Sequence, residues 1–83
     1  MHFVKEVRYE SDYRLLLTFD DGQKKFVDMK PYLWGEMFEP LKDMDFFRRV
    51  RISNLGDTIE WPNGADMCPD VLYDIGVEVS KIA

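Results

Sequence analysis

Two alternating runs, Tyr13–Phe19 and Lys24–Met29, are separated by Asp20-Asp21-Gly22-Gln23. This arrangement constrains the fold more than any other feature of the chain. Asp-Gly readily supplies the positive φ that a tight hairpin needs, so the two runs must return on each other antiparallel. Leu15, Leu17 and Phe19 fall on one face of the first run, with Leu16 open to cover from the other side. Upstream, Phe3–Tyr9 alternates β-branched and aromatic residues with charge, and Glu10-Ser11-Asp12 reads as a turn. Three strands joined by short turns make an antiparallel meander.

Pro31 stops the third strand, and Tyr32-Leu33-Trp34 is expected as a short turn of helix broken by Gly35. An ordered apolar loop follows over Met37–Leu41. Asp43 is placed to cap a helix over Met44–Val50, with Arg48 and Arg49 in its last turn. Val50-Arg51-Ile52 and Thr58–Trp61 read as a second hairpin around the Asn54–Asp57 turn. Pro62-Asn63-Gly64 ends it sharply. Pro69–Asp74 is expected as a short terminal helix closed by Gly76. The result is an α+β chain: a three-strand meander, a crossover helix, a second β-hairpin and a short C-terminal helix. Residues 1–76 form the domain. Residues 77–83 are a frayed tail or a strand awaiting a partner. The helix covers one face of the sheet, and whatever the sheet leaves uncovered is a candidate contact surface.

At 83 residues the chain has little room for a deep walled pocket, and its twelve aromatic rings must supply much of the core. One cysteine excludes an internal disulfide and a multi-cysteine zinc site, and one histidine excludes any site needing two imidazoles. No apolar run approaches a membrane span and no h-region opens the chain, which gives an expected cytoplasmic protein with no membrane role. The net charge is −5, and it is unevenly placed. Residues 1–52 carry ten acids and ten bases, whereas residues 53–83 carry six acids against Lys81 alone. Either this is a solubilising acidic face, or it meets a basic partner.

Several segments together resemble a small bacterial family, the domain of unknown function 2442. They are Leu15-Leu17-Phe19 with Asp21-Gly22, Val27-Asp28-Met29, and Phe38–Asp43 with Phe46-Phe47. Trp61-Pro62-Asn63-Gly64-Ala65-Asp66 and Pro69-Asp70 with Leu72-Tyr73 complete the set. The resemblance runs from Val4 to Tyr73. It implies an α+β fold, no assigned catalytic residues, and an antitoxin-like role. Many members are encoded beside another small family, so the implied partner is a small protein, a toxin encoded nearby. Some members add a DNA-binding extension that this sequence does not include.

Candidate sites follow. Trp61, Asn63, Asp66 and Asp70 form an exposed binding edge for a basic protein, or else a rigid turn held by Pro62, Gly64 and a backbone bond from Asn63 or Asp66. Lys42, Arg48, Arg49 and Arg51 are the alternative, a contact to nucleic-acid phosphates, although the acidic total argues against nucleic acid. Tyr32, Trp34, Phe38 and Leu41 are core beneath the sheet, or an exposed aromatic groove for a peptide or for self-association. Asp66, Cys68, Asp70 and Asp74 supply metal-ligand types, but their spacing matches no calcium loop, so no metal is expected. No cofactor is expected either, because the five glycines are scattered. Cys68 reads as a partly buried filler, since catalytic thiols need a base or a positive neighbourhood. No pair of carboxylates is set up for acid–base work. A non-enzymatic module is therefore expected. An unpaired sheet edge either associates, giving a homodimer, or is blocked.

Overall fold

The computed structural model describes residues 1–79. The meander forms as its alternation demands: β1 (Val4–Ser11), β2 (Arg14–Phe19) and β3 (Lys24–Asp28) pair antiparallel in sequence order. The β2–β3 turn closes with Gly22 at φ 87°, its N–H donating to the Phe19 carbonyl. Leu15, Leu17 and Phe19 of β2 and Val27 of β3 are buried on one face, with Val4 and Met29 beside them. A one-residue slip would turn that whole set toward water, so burial fixes the register.

Beyond β3 the chain makes a 3-10 turn over Lys30–Tyr32, two residues earlier than the aromatic run suggests, and a second over Glu39–Lys42. The short helix α1 (Met44–Phe47) is capped as expected, the Asp43 carboxylate accepting from the Asp45 N–H at 3.1 Å. It does not reach Val50. The Arg49 and Val50 N–H groups donate three residues back, to Phe46 and Phe47, which tightens the last turn and ends it. Arg48 is thus the cap of α1, and Arg49 lies beyond the helix. The hairpin β4 (Arg51–Ile52) and β5 (Ile59–Glu60) follows as a separate two-stranded sheet. The core joins both sheets through Phe47, whose ring meets Tyr9, Tyr13 and Trp61 at centroid distances of 6.2, 5.2 and 5.6 Å.

Helix α2 (Pro69–Ile75) begins on its proline and buries Leu72. Its end leads directly into β6 (Val77–Glu78), which pairs antiparallel with β3, Phe26 opposite Val77 and Lys25 opposite Glu78. The main sheet therefore has four strands in the order β1-β2-β3-β6. The strand reading of Val77 and Glu78 holds, and the tail assignment from residue 77 is corrected for these two; 80–83 lie outside the described residues. Among the described residues no helix is long and apolar enough to cross a membrane.

Gly76 closes α2 for a reason other than backbone handedness. Its φ is −71°, which any residue adopts. A Cβ there would stand 2.8 Å from Lys25 Cβ and 3.0 Å from the Leu72 carbonyl oxygen. The close approach lets Lys25 lie buried under α2, its Nζ donating to the Tyr73 carbonyl at 2.7 Å and sitting 3.5 Å from the Tyr73 ring centroid. Gly76→Ala is expected to cost about 1–3 kcal/mol by overpacking. Urea denaturation measures it, and an unchanged midpoint would show that α2 can move away at no cost.

Candidate functional site

The segment between β3 and α1 is built to push one ring outward. The Asp28 carboxylate accepts from the Lys30 N–H at 3.0 Å and starts the 3-10 turn with Pro31. Leu33 then adopts φ −87° and ψ 62°, and the Trp34 N–H donates to the Tyr32 carbonyl at 3.0 Å. This is an inverse γ-turn. It sends Leu33 into the core and Trp34 into solvent: Leu33 is 3% exposed and Trp34 is 72% exposed. Gly35 follows at φ 88°, a conformation that a residue with a Cβ rarely adopts. Its carbonyl accepts from the N–H groups of Phe38 and Glu39 at 3.1 and 2.9 Å.

A second loop clamps the first. The Asn63 side-chain amide donates to the Met37 carbonyl at 2.9 Å, while its own oxygen accepts from the Ala65 N–H at 3.1 Å. The Trp61 carbonyl accepts from the Gly64 N–H at 2.9 Å, and the Trp61 N–H donates to the Ala65 carbonyl at 2.9 Å. Asn63 thus bonds a nearby backbone amide within the turn. The Thr58 hydroxyl donates to the Met67 carbonyl and fixes the next residues. Trp34 thus stands on a ridge held at the γ-turn, at the Gly35 carbonyl and at Asn63.

A concavity opens on each side of this ridge. One, of about 390 Å³, is lined by Tyr32, Trp34, Glu36, Met37, Phe38 and Met67 and is mostly apolar. The other, of about 430 Å³, is lined by Tyr13, Lys30, Pro31, Leu33, Trp34 and Lys42. Of the two readings of the Tyr32, Trp34, Phe38 and Leu41 cluster, Leu41 follows the core reading, since it is fully buried. Trp34 follows the groove reading, with Tyr32 and Phe38 half-buried along the same cleft.

The residues singled out around Trp61 do not form one exposed edge. Trp61 is 0% exposed, its Nε1–H donating to the Phe47 carbonyl at 2.9 Å. Its role as a surface anchor is therefore withdrawn; the ring is core because the β5 alternation points it inward beside Ile59 and Phe47. Asn63 is exposed but serves as the clamp. Asp66 is exposed, immediately before Met67 of the first cleft. Asp70 lies elsewhere, its carboxylate accepting from the His2 N–H at 2.7 Å to fasten the N-terminal segment onto α2. Cys68 is exposed rather than partly buried.

The acidic third is also less available than its charge count implies. The Asp57 carboxylate accepts from the Ser53 hydroxyl at 2.7 Å, and Glu60 pairs with Arg51 at 3.3 Å. The basic cluster is spent in the same way. Lys42 pairs with Glu39 at 3.1 Å, the Arg48 guanidinium lies 4.9 Å from the Tyr9 ring centroid, and Arg51 is held by Glu60. Only Arg49 of the four has no such contact among the described residues. No group of three metal-ligand side chains converges among the described residues.

The other polar constellation gathers on Tyr73. Its ring stacks on His2 with 3.5 Å between centroids, and its hydroxyl donates to the Asp21 carboxylate at 2.7 Å. The Gln23 N–H and the Tyr73 hydroxyl hold the Asp21 carboxyl below its ordinary 3.8, and the same hydrogen bond raises Tyr73 above its ordinary 10.0. Asp21 therefore contributes stability that is present above 3.8 and lost as pH falls below it; Tyr73 contributes stability present below 10.0 and lost as pH rises through its raised value. Asp21→Asn is expected to flatten both limbs of the stability–pH curve. Both groups are open to water, so the change is small, and thermal melts across pH read it. Limbs identical to wild type would contradict the pairing.

A family model described as protein of unknown function (DUF2442) matches residues 4–78. No curated protein and no solved structure matches the chain.

Proposed function

The chain belongs to the family described as protein of unknown function (DUF2442), and from that premise we propose that the domain is a protein-recognition module that carries out no chemistry of its own. Its contact surface is the Trp34 ridge with its two flanking clefts. The observation that carries this reading is the exposure of Trp34 on a backbone fixed from three sides. A large ring held in water forgoes burial, and a stiff loop loses little entropy when a partner covers it. Tryptophan is enriched among the residues that dominate interface energies.

The occupant is a small basic protein, the product of the neighbouring gene in the antitoxin-like arrangement that the family resemblance suggested. Its apolar side chains enter the cleft of Trp34, Met37, Phe38 and Met67. Its cations meet Glu36 on the cleft wall and Asp66 beside it, within a chain of net charge −5. Isothermal titration of the purified neighbouring protein into the domain tests this, at low and at physiological salt. Binding that weakens only modestly with added salt is expected, because the contact is largely apolar and opposite charges only steer it. Two proteins that give no heat and elute separately at low salt would overturn the assignment.

A further inference from the structure

The face of the sheet turned away from the core carries a groove lined mostly by cations. Strand parity decides its composition. Leu15, Leu17, Lys25 and Val27 turn inward, so Leu16 of β2, Lys24 and Phe26 of β3, and Glu6 and Arg8 of β1 turn outward, Glu6 opposite Thr18 and Arg8 opposite Leu16. The register shift at Lys5 brings that side chain to the same surface. Lys5, Glu6, Arg8, Leu16 and Lys24, together with Ile52 of β4, line a groove of about 440 Å³.

The groove sets three cations, Lys5, Arg8 and Lys24, against one carboxylate, Glu6, in a protein whose total is −5. Among the described residues, the two ion pairs of the fold are Lys42 with Glu39 and Arg51 with Glu60. None of the three groove cations has an ion-pair partner there. All three face an open concavity along β1, an edge strand of the four-stranded sheet, with Lys5 Nζ 6.0 Å from the Phe3 ring centroid.

We infer that this groove binds an extended acidic segment of a partner polypeptide, its carboxylates meeting Lys5, Arg8 and Lys24 and its apolar side chains resting on Leu16 and Ile52. The floor decides between acidic polypeptide and nucleic acid. Leu16 and Ile52 suit alternate aliphatic side chains, and Glu6 would oppose a continuous row of phosphates. The net −5 also repels a dense polyanion more strongly than it repels a segment with two or three carboxylates. The site shares no residue with the Trp34 surface and does not depend on that reading.

The test uses the whole chain at low ionic strength with three probes: a blocked hexapeptide of alternating Glu and Val, its Gln–Val counterpart, and a short oligothymidylate. Backbone amide shifts in two-dimensional NMR report binding and its location. The Glu–Val peptide is expected to move Arg8, Leu16 and Lys24, and the Gln–Val peptide to leave them in place. Arg8→Glu combined with Lys24→Glu, both fully solvent-facing, is expected to weaken the Glu–Val peptide about tenfold with the melting temperature retained. Trp34→Ala is expected to leave this binding unchanged, which separates failure here from failure of the Trp34 surface. No shift with the Glu–Val peptide, or equal affinity in the double variant, would overturn the inference. Tighter binding of oligothymidylate would overturn it in favour of nucleic acid. Sedimentation showing a dimer that the double variant dissociates would assign the groove to a second copy instead.

Discussion

Trp61→Ala is expected to remove about 3–5 kcal/mol, the cost of emptying a large aromatic site in a packed core. A chain of this size holds on the order of 5–10 kcal/mol in total, so most of the stability goes. Two terms add here. The indole is fully buried against Phe47, itself the meeting point of Tyr9 and Tyr13. Its Nε1–H is also the donor to the Phe47 carbonyl, which would lose that partner where α1 ends. Trp61→Phe keeps most of the ring and loses the donor, and should cost about 1–3 kcal/mol. Urea denaturation of both variants gives the comparison. A loss below about 1 kcal/mol for Trp61→Ala would mean the site collapses freely, and the aromatic core drawn here would be wrong.

Trp34→Ala reverses the pattern. Stability should stay within about 0.5 kcal/mol, as for surface substitutions away from special contacts. Binding of the neighbouring protein should fall about 30-fold or more, the equivalent of about 2 kcal/mol or above at an interface hot spot. The size follows from area. A ring that buries roughly 150–250 Å² at ~25 cal/mol per Å² contributes on the order of 3–4 kcal/mol when its exposed part is covered. Asn63→Ala offers a complementary reading, because it removes the clamp on Met37 without touching the ring. Titration calorimetry against wild type measures both. A Trp34→Ala domain that binds as tightly as wild type would place the contact elsewhere.

The contrast between the two tryptophans shows where the sequence could and could not be read. Leu15, Leu17 and Phe19 alternate within a long paired strand, so their burial was legible, as were the Asp21-Gly22 turn and the Asp43 cap. The exposed Trp34 lies in the more apolar stretch of chain, between Leu33 and Met37-Phe38, and the buried Trp61 lies between Glu60 and Pro62-Asn63. What separates them is one dihedral pair at Leu33 and the long-range bond from Asn63 to Met37. Neither of these leaves a local signature; the Ile59–Trp61 alternation does mark the inward ring, but the proline and glycine after it make the same segment read equally well as an exposed edge. The cue that existed was Trp34-Gly35: a ring beside a glycine that breaks the chain direction.

Other features left open along the chain have the same origin. Lys25 occupies an inward position of an alternating strand, and only the approach of Gly76 and Tyr73 makes that burial tolerable. β6 is two residues long, too short for any periodicity, and forms because α2 delivers it to the free edge of β3. The acidic third was legible as charge but not as use. Asp57, Glu60 and Asp70 are each held by partners inside the fold, and the proposed recognition therefore rests on the apolar ridge.

The most direct measurement follows the two indole N–H resonances while the neighbouring protein is titrated into the domain. Trp34 is expected to shift or broaden as the complex forms, while Trp61, bonded to the Phe47 carbonyl, keeps its position. A complex that forms with the Trp34 resonance unmoved would contradict recognition through the ridge.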